Sequence, residues 1–480
     1  MTVKVVSAAA AGSDAVPVLF YRGEKEPQAP AGLLEIGRAL RSLTGLEPGK
    51  AGWHLIPTAD KKTPRVILAE LPAEGCLARA LRNGCANLQR ELDGRGIKAI
   101  RLYFPEALDD RLTQAAAEGI LLGGYCFDKY RTARPKYAGP EEVFLDGTEI
   151  GLKRAEAFAG GQIRSRSLAN EPGNVIGPAE MAHCAQEVAR AGGLECTVYD
   201  EGQIHEMGME ALFAVGRGSA KRPRFVHMVY RPQGIENPKR VVFVGKSVTF
   251  DSGGLSIKTR DGMITMKGDK TGACNVLGIM EAVAALRPSL EVHGIFGAVE
   301  NMPDGDAYRV DDIIRAKNGK TIEVKNTDAE GRLTLADALA YACELKPDAL
   351  IDMATLTGAI GTALGGYTAG ALGDDAALAQ AIIDAGKAVG ERFHYFPLDD
   401  DKLKEKISTP FADVKNSAGP GGGAITAGMF LREFVVPGTS WIHLDIASVD
   451  YYESAFDCYS AGASSFGVRT CLQYLMNLEK

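Results

Sequence analysis

The sequence lacks the features of a disulfide-stapled protein or of one that coats nucleic acid. Its nine cysteines are an odd number, are scattered and form no CxxC pair, so we expect free thiols in a reducing compartment. There are 54 Lys and Arg residues against 61 Asp and Glu, and the formal net charge of −7 argues against a broad electrostatic grip on nucleic acid or anionic lipid. We therefore expect a cytoplasmic protein with no membrane partner and no nucleic acid partner.

The sequence also lacks a long apolar run of the kind that crosses a bilayer. Its longest uncharged stretch, 353–373, has 21 residues, of which ten are Gly or Thr, and Asp352 and Asp374 flank it. Because a membrane helix needs a predominantly apolar composition, we predict instead a buried strand that leads into a Gly-rich loop. Residues 1–18 contain one Lys and no sustained apolar core, so we expect no signal peptide.

Three common catalytic motifs are incomplete. The Gly-Lys-Ser sequence at 245–247 resembles the end of a phosphate-binding P-loop, but the position that needs the first glycine holds Arg240. His205 could open a zinc-binding HExxH helix, but the second histidine position holds Met209, so we predict a solvated helix or turn there. No GxSxG sequence is present, which argues against a serine hydrolase.

The first 150 residues alternate short β-rich runs with helical patterns, which is typical of a compact α/β domain. The predicted strands include 16–21, 65–68 and 99–103, and the predicted helices include 75–92 and 111–122. A polar stretch with Pro and Gly, 130–147, breaks the periodicity and indicates a boundary, and a helical pattern over 150–168 follows it. We therefore predict an N-terminal α/β domain over residues 1–150 and a connecting helix over 151–172.

Stronger apolar runs alternate with helical patterns from about residue 175 onward. The predicted strands are 240–244, 292–299, 349–354 and 441–447, and the helices between them include 272–286, 333–345 and 377–389. Apolar strands separated by helices are the βαβ signature of a parallel sheet covered on both faces. The predicted fold class is thus α/β, with a smaller N-terminal domain and a larger C-terminal catalytic domain, 151–480, whose mostly parallel central sheet is flanked by helices.

Charged residues are unusually dense in segments that should be buried or should lie at strand ends. Lys246 and Asp251 stand where the predicted strand 240–244 ends, Lys258 follows them, and Asp269 precedes a helix. A single carboxylate in such a place is more often a solvated loop residue. The set is more informative, because α/β proteins place ligand sites in the loops at the carboxyl ends of parallel strands.

A second charged cluster precedes the predicted helix 333–345. Asp328, Glu330 and Arg332 are spaced at i, i+2 and i+4, and in an extended segment they would project to one face. The two clusters together hold four carboxylates and a lysine amine without a nearby His or Cys, which suits two hard or borderline divalent cations. Two dications would balance four carboxylates, so Lys258 and Arg332 leave two positive charges in excess and predict a place for anions.

Several segments resemble the signatures of the leucine aminopeptidases, the dinuclear-zinc cytosol aminopeptidase family. They are VGKSVTFDSGGLSIK (244–258), NTDAEGRLTLADAL (326–339), MATLTGAI (353–360), AVENMPDGDAYR (298–309), ADVKN (412–416), GGGAITAGMFL (421–431) and WIHLDIA (441–447). The resemblance covers nearly all of residues 165–470, whereas the first 150 residues carry no recognised motif. It implies a metal-dependent aminopeptidase that hydrolyses the N-terminal residue, with a leucine-like preference, through a two-metal-activated water.

The resemblance also implies a role for each charged residue. Asp251 and Glu330 would bridge two divalent ions, Zn²⁺ or Mn²⁺, in each subunit. Asp328 would complete one metal site, and Lys246 and Asp269 the other. A metal-bound lysine must be a neutral amine, a form that burial and an adjacent dication both favour.

Two further residues are implied to act in catalysis without binding metal. Lys258 would stabilise the oxyanion of the substrate. Arg332 would hold a bicarbonate ion in its planar guanidinium fork, and this anion would serve as the general base for the attacking water.

The same resemblance implies a pocket for the first side chain of the substrate, whose free α-amine would ligate one metal ion. Its predicted lining residues are Met266, Thr355, Leu356 and Gly358. The sequence departs from the family in LDIASVDYY (444–452) and AGASSFGVRT (461–470), and both changes bear on substrate preference or subunit contacts. Lys270, after Asp269, stands where the family often has Met.

Alternatives to the peptidase remain at this point. A dinuclear metal phosphohydrolase also uses a carboxylate-rich two-metal site. Some bacterial members of the family bind DNA in addition, a role that the net charge of −7 does not support. The resemblance further implies peptide substrates with a free N-terminus and a homohexamer.

Overall fold

A computed structural model of the chain describes residues 2–5, 15–44, 52–58, 65–133 and 139–479. The chain divides into two compact units, Met1–Ala159 with Glu453–Ala461 and Gly160–Tyr452 with Gly462–Lys480. The predicted α/β fold class, with a mostly parallel larger sheet flanked by helices, is confirmed. The domain limits of 1–150 and 151–480 stay predictions.

The first unit is a parallel sheet with one antiparallel edge strand. Its described elements are β1 (Thr2–Val5), β2 (Val16–Arg22), α1 (Ala31–Thr44), β3 (Gly52–Pro57), β4 (Arg65–Leu71), α2 (Leu77–Glu91), β5 (Ala99–Tyr103), α3 (Asp110–Gly123), β6 (Glu142–Leu145) and the first half of α4 (Glu149–Asn170). The strand order is β1-β6-β5-β2-β4-β3, and β3 alone runs antiparallel to its neighbour among these strands.

Helices cover both faces of this sheet, which explains why its strands are apolar without alternation. On β2, Val18 and Phe20 join the core cluster that contains residues of α2 and α3. The intervening Leu19 and Tyr21 belong to a smaller cluster on the α1 side. The apolar run at 16–21 is therefore a strand, as the sequence predicted, and the structure shows that it is buried on both faces.

Two predictions for this part of the chain fall partly on undescribed residues. The stretch 130–147, expected to be irregular, contains β6, which pairs with β1 and β5, while 134–138 lie outside the described residues. Of the stretch 1–18, in which we expect no signal peptide, residues 1 and 6–14 likewise lie outside them.

The second unit contains the larger sheet. The described strands of this unit are β7 (Glu195–Tyr199), β8 (Arg224–Tyr230), β9 (Arg240–Asp251), β10 (Glu291–Asn301), β11 (Ile313–Arg315), β12 (Thr321–Glu323), β13 (Ala349–Ala354), β14 (Ala369–Gly373), β15 (Phe393–Pro397), β16 (Val414–Lys415), β17 (Trp441–Asp445), β18 (Tyr451–Tyr452) and β19 (Gly462–Ala463). After α4, its helices are α5 (Pro178–Gly192), α6 (Glu201–Glu206), α7 (Glu210–Gly216), α8 (Arg260–Met263), α9 (Thr271–Leu286), α10 (Gly331–Glu344), α11 (Gly358–Leu364), α12 (Ala376–Val389), α13 (Asp401–Glu405), α14 (Gly423–Arg432) and α15 (Val468–Leu478), with a 3₁₀ helix at Met266–Lys270.

The order of the large sheet is β15-β14-β17-β13-β9-β10-β8-β7. Its centre, β17-β13-β9-β10, is parallel, whereas β14 and β8 join this centre in antiparallel pairs. Residues of β9, β10 and β13 share one apolar core with residues of α7, α10 and α14. The parallel centre places four carboxyl-terminal strand ends at one edge of the sheet.

The uncharged stretch 353–373 is more regular than predicted. It contains the end of β13, then α11, and then β14, so the expected Gly-rich loop is wrong. The Thr357 side chain accepts a hydrogen bond from Ile360 N (3.2 Å) and caps α11, a local signal that glycine content obscures.

Three further expectations concern individual side chains and helix length. Among the described residues, no helix combines the length and apolar character that a membrane crossing needs. All nine cysteines are described, and none forms a disulfide. His205 lies exposed in the last turn of α6, where its ring approaches Glu210 (2.6 Å), so the prediction of a solvated residue is confirmed.

Candidate metal centre

The site forms where β9 extends past its neighbour β13. Their pairing ends at Gly245 with Met353, whereas β9 continues to Asp251. Lys246 therefore lies inside a long strand, and the prediction that the strand ends at 244 is wrong. It is the first residue of β9 beyond the pairing with β13, and its side chain reaches Thr355 in the loop that follows β13.

Lys246 is the centre of one half of the site. Its Nζ lies 2.6 Å from Asp269 Oδ1 and 3.0 Å from Glu330 Oε1 and donates to Thr355 O at 2.9 Å. The Thr355 hydroxyl donates to the same Asp269 oxygen at 2.7 Å. These contacts join β9, the 3₁₀ helix, the start of α10 and the loop after β13.

Lys258 is the centre of the other half. Its Nζ lies 3.0 Å from Asp251 Oδ2 and 2.5 Å from Asp328 Oδ1. The other oxygen of Asp251, Oδ1, accepts from Gly253 N and from Asn301 Nδ2, both at 2.8 Å. Asn301 also donates to Thr327 O (3.0 Å), so it holds Asp251 and the 326–330 turn together.

The segment that carries Asp328, Glu330 and Arg332 is not extended, and this prediction is wrong. Residues 327–328 form a turn, Glu330 has helical dihedral angles (φ −78°, ψ −37°), and Arg332 lies in the first turn of α10. Asp328 N donates to Asn326 Oδ1 (2.9 Å), which stabilises the turn. The three side chains still border one cavity, because the turn and the helix start curve around it.

Burial and mutual repulsion dominate the electrostatics of the carboxylates. Burial raises the pKa of Asp269 well above its ordinary value, and burial followed by the charge of Glu330 raises the pKa of Asp251. Burial alone would lower the pKa of the Lys246 ammonium, but the charges of Asp269 and Glu330 outweigh it and raise that pKa. The cavity therefore stabilises positive charge among its carboxylates.

Arg332 differs from the two lysines. Burial lowers the pKa of its guanidinium to about 10, so it stays charged at neutral pH. Its Nη1 donates to Asn416 O (2.7 Å), while its buried Nε has no hydrogen-bond partner among the described residues. A cationic donor therefore remains unused beside Glu330.

All the site residues predicted from the sequence border one cavity of about 310 Å³. They are Lys246, Asp251, Lys258, Met266, Asp269, Asp328, Glu330, Arg332, Thr355, Leu356 and Gly358. Asp445 orders the loop that carries three of the pocket residues, because it accepts hydrogen bonds from Leu356 N (3.2 Å) and the Thr357 hydroxyl (2.7 Å). The structure brings these residues together; their individual roles stay predictions.

The sequence reasoning assigned no role to several residues of the site. Ala447 and Asp450 line the cavity, and Asn301 orients Asp251. The departure from the family in LDIASVDYY was the one signal that pointed to Asp450. Asn301 lies in a segment that carried the resemblance, but nothing in its spacing indicated a contact with Asp251.

Lys270, whose effect the sequence left open, lies buried beneath the site. Its Nζ donates to Glu171 O (2.8 Å) and to Lys267 O (2.5 Å), and burial lowers its pKa to about 8. It therefore ties the 3₁₀ helix that carries Asp269 to the chain just after α4.

The donor set fits divalent cations. Asp251, Asp328 and Glu330 each offer a carboxylate oxygen, and these three atoms lie within 4.8 Å of one another. The buried Oδ2 of Asp269 has no hydrogen-bond partner among the described residues. Carboxylate oxygens are ligands that suit hard or borderline dications.

Comparison with known proteins gives a consistent result. The sequence model of the cytosol aminopeptidase family, catalytic domain, matches residues 163–472. A probable cytosol aminopeptidase of Aquifex aeolicus is 48% identical over 472 residues, covering 96% of this chain and 95% of the relative.

Two solved structures are similar over nearly their whole lengths. A mutant of tomato leucine aminopeptidase superposes with a TM-score of 0.86 at 30% identity, covering 99% of this chain and 96% of the other. The bottromycin maturation enzyme BotP in complex with Mn gives a TM-score of 0.85 at 32% identity, covering 98% and 100%.

Proposed function

The chain belongs to the cytosol aminopeptidase family and is therefore a peptidase, and from this we propose that it removes the N-terminal residue from peptides with a free amino group. The observation that carries the proposal is one cavity in which four carboxylates and two lysines meet beside apolar side chains. The leucine-like preference is part of the proposal, supported by Met266 and Leu356 in the lining.

Two divalent ions, Zn²⁺ or Mn²⁺, are proposed for the carboxylate cluster. Asp251, Asp328 and Glu330 would hold one ion, which their mutual approach supports. Lys246 as a neutral amine and Asp269 would complete the second site, with Asp251 and Glu330 shared. Such ions, when bound, lower the pKa of a water molecule and polarise the scissile carbonyl.

The remaining charged residues would act on the substrate and on the proton. Lys258 would donate to the oxyanion that develops on the scissile carbonyl, since its ammonium already stands between two carboxylates at the cavity wall. Arg332 would hold bicarbonate through its unpartnered Nε, and the bicarbonate would accept the proton of the attacking water. We also propose that the chain forms a homohexamer and acts in the cytoplasm, and only its membership of the family supports these two points.

The test is hydrolysis of amino-acid amides by the purified protein. We expect release of leucine from leucinamide, loss of this activity on chelation, and recovery with Zn²⁺ or Mn²⁺. The N-acetylated substrate should not be cleaved, because its blocked amine cannot bind. Robust cleavage of the N-acetylated amide, or activity that survives complete metal removal, would contradict the proposal.

Matched variants make the test specific to the cluster. Asp328→Ala removes a proposed ligand and should abolish activity, whereas Asp261→Asn removes an exposed acidic side chain nearby and should leave activity unchanged. A phosphatase assay on the same preparation covers the alternative of a phosphohydrolase. Phosphate ester hydrolysis without peptidase activity would replace the proposed function.

A further inference from the structure

One carboxylate of the cavity has no lysine or arginine within ion-pair distance in the described part of the chain. The other four each have an oxygen within 3.0 Å of a lysine ammonium. Asp450 lines the same cavity as Met266, Thr355 and Ala447, but it forms no ion pair among the described residues. Burial raises the pKa of Asp450 to about 7, with the charge of Lys246 acting in the opposite direction.

The nearby lysines are engaged elsewhere. Lys267 donates from Nζ to Asn170 O at 2.8 Å, and Lys270 donates to Glu171 O at 2.8 Å. Among the described residues, neither forms an ion pair with Asp450. Lys246, whose charge does act on Asp450, is itself paired with Asp269 and Glu330. A buried carboxylate without a cation is costly as an anion, so it favours its protonated form until a cationic partner binds.

Gly268 packs closely against this carboxylate. A Cβ atom at position 268 would lie 3.3 Å from Asp450 Oδ2, a tight contact, whereas Gly268 presents only backbone there. Every other side chain would crowd this oxygen. Asp450 Oδ2 thus lies beside the turn that also carries Met266 and Asp269, at the wall of the cavity.

We propose, on the premise that the chain is an aminopeptidase, that Asp450 pairs with the charged end of an N-terminal lysine or arginine of the substrate. Long cationic side chains combine an apolar stem with a charged head. Met266, Leu356 and Ala447 can cover the methylenes, as they would cover leucine, and Asp450 supplies the missing charge. The pocket then accepts leucine-like residues and also selects for basic ones.

The matched substrate pair is lysinamide and norleucinamide, which share the unbranched aliphatic stem and differ by the terminal ammonium. We expect the metal-loaded wild type to give a higher kcat/KM for lysinamide. Asp450→Asn keeps the shape and removes the charge, so it should lower the lysinamide value about 10- to 100-fold, as for hydrogen bonds to charged groups. The norleucinamide value should change less than about threefold.

Two controls separate charge recognition from damage to the fold. Asp450→Glu restores the carboxylate and should retain the preference for lysinamide, while Asp261→Asn removes one exposed negative charge outside the cavity and should change neither substrate. Free L-lysine should also inhibit the wild type more strongly than L-norleucine, and this difference should disappear in Asp450→Asn.

The outcomes distinguish this inference from the proposed function. Hydrolysis of leucinamide and norleucinamide with an unchanged lysine-to-norleucine ratio in Asp450→Asn overturns the role of Asp450 and leaves the aminopeptidase intact. Failure of the metal-loaded wild type to cleave any amide overturns both.

Discussion

Replacing Gly331 by alanine should displace the Lys246 ammonium while leaving the protein folded. A Cβ atom at position 331 would lie 2.3 Å from Lys246 Cε and 2.7 Å from its Nζ. Ordinary van der Waals contact begins at 3.4 Å, so Cε must retreat by about 1.1 Å (3.4 − 2.3). The atoms that must move are the end of a flexible side chain, which limits the cost to stability.

The displacement should lower the catalytic activity strongly. Lys246 Nζ contacts Asp269 at 2.6 Å and Glu330 at 3.0 Å, and a shift of about 1 Å disrupts both contacts. A misplacement of about 1 Å in an active site costs about 100-fold in rate, or about 2.7 kcal/mol of transition-state stabilisation. Some stability should be lost as well, because the displaced ammonium is buried and both of its ion pairs weaken.

The assay is kcat/KM for leucinamide together with the denaturation midpoint. Gly160→Ala is the matched control, because a Cβ atom there meets nothing within 4 Å, and it should leave activity unchanged. In a Lys246→Ala background the clash is absent, so adding Gly331→Ala should cost almost nothing further. A Gly331→Ala protein with activity within about threefold of the wild type would refute the placement of Lys246 at the centre of the site.

Two further predictions concern buried carboxylates that stabilise the second unit. Asp337 accepts hydrogen bonds from Leu212 N and Lys317 N, both at 2.8 Å. Asp337→Ala should therefore lower the free energy of unfolding by about 1–3 kcal/mol for each amide left unpaired. Urea denaturation measures this loss, and a midpoint equal to that of the wild type would contradict the prediction. Glu391 lies 3.3 Å from the buried guanidinium of Arg469, and Glu391→Ala should cost about 3–5 kcal/mol because it removes a counter-ion of that buried charge. The isosteric Glu391→Gln, which keeps an acceptor, should lose less in the same denaturation assay.

The sequence predicts the strands well where burial is uniform. The run at 349–354 coincides with β13, and 99–103 with β5, because a strand covered on both faces is apolar at most of its positions. Asp352 in β13 and Arg101 in β5 are the exceptions, and neither interrupts the apolar run for more than one residue. The helices are predicted to within two residues at 272–286 and 377–389. Their apolar residues are local properties that the sequence carries directly, as are the Asp375 cap and Gly390 at the two ends of α12.

The sequence-based predictions of strand ends fail where the polar residues of the site are buried. The apolar pattern of β9 stops at Val244, but the strand continues to Asp251 because β10 still pairs with it beyond the end of β13. The cost of burying Lys246 is offset by Asp269 and Glu330, which lie far away in the sequence. Hydropathy therefore marks the end of the apolar run and not the end of the strand.

The position of Asp450 shows which information, beyond the sequence, is needed to predict the whole lining of the pocket. β13 and β17 are parallel neighbours, with Ala354 opposite Asp445, so the segments that follow them must leave the sheet side by side. The loop after β13 was identified as a pocket wall from its resemblance, and the segment after β17 then has to border the same cavity. That step requires the strand order, and strand order depends on contacts between distant segments that no local pattern encodes. Given the adjacency, an unpaired carboxylate five residues beyond Asp445 becomes a candidate for contact with substrate on geometric grounds alone.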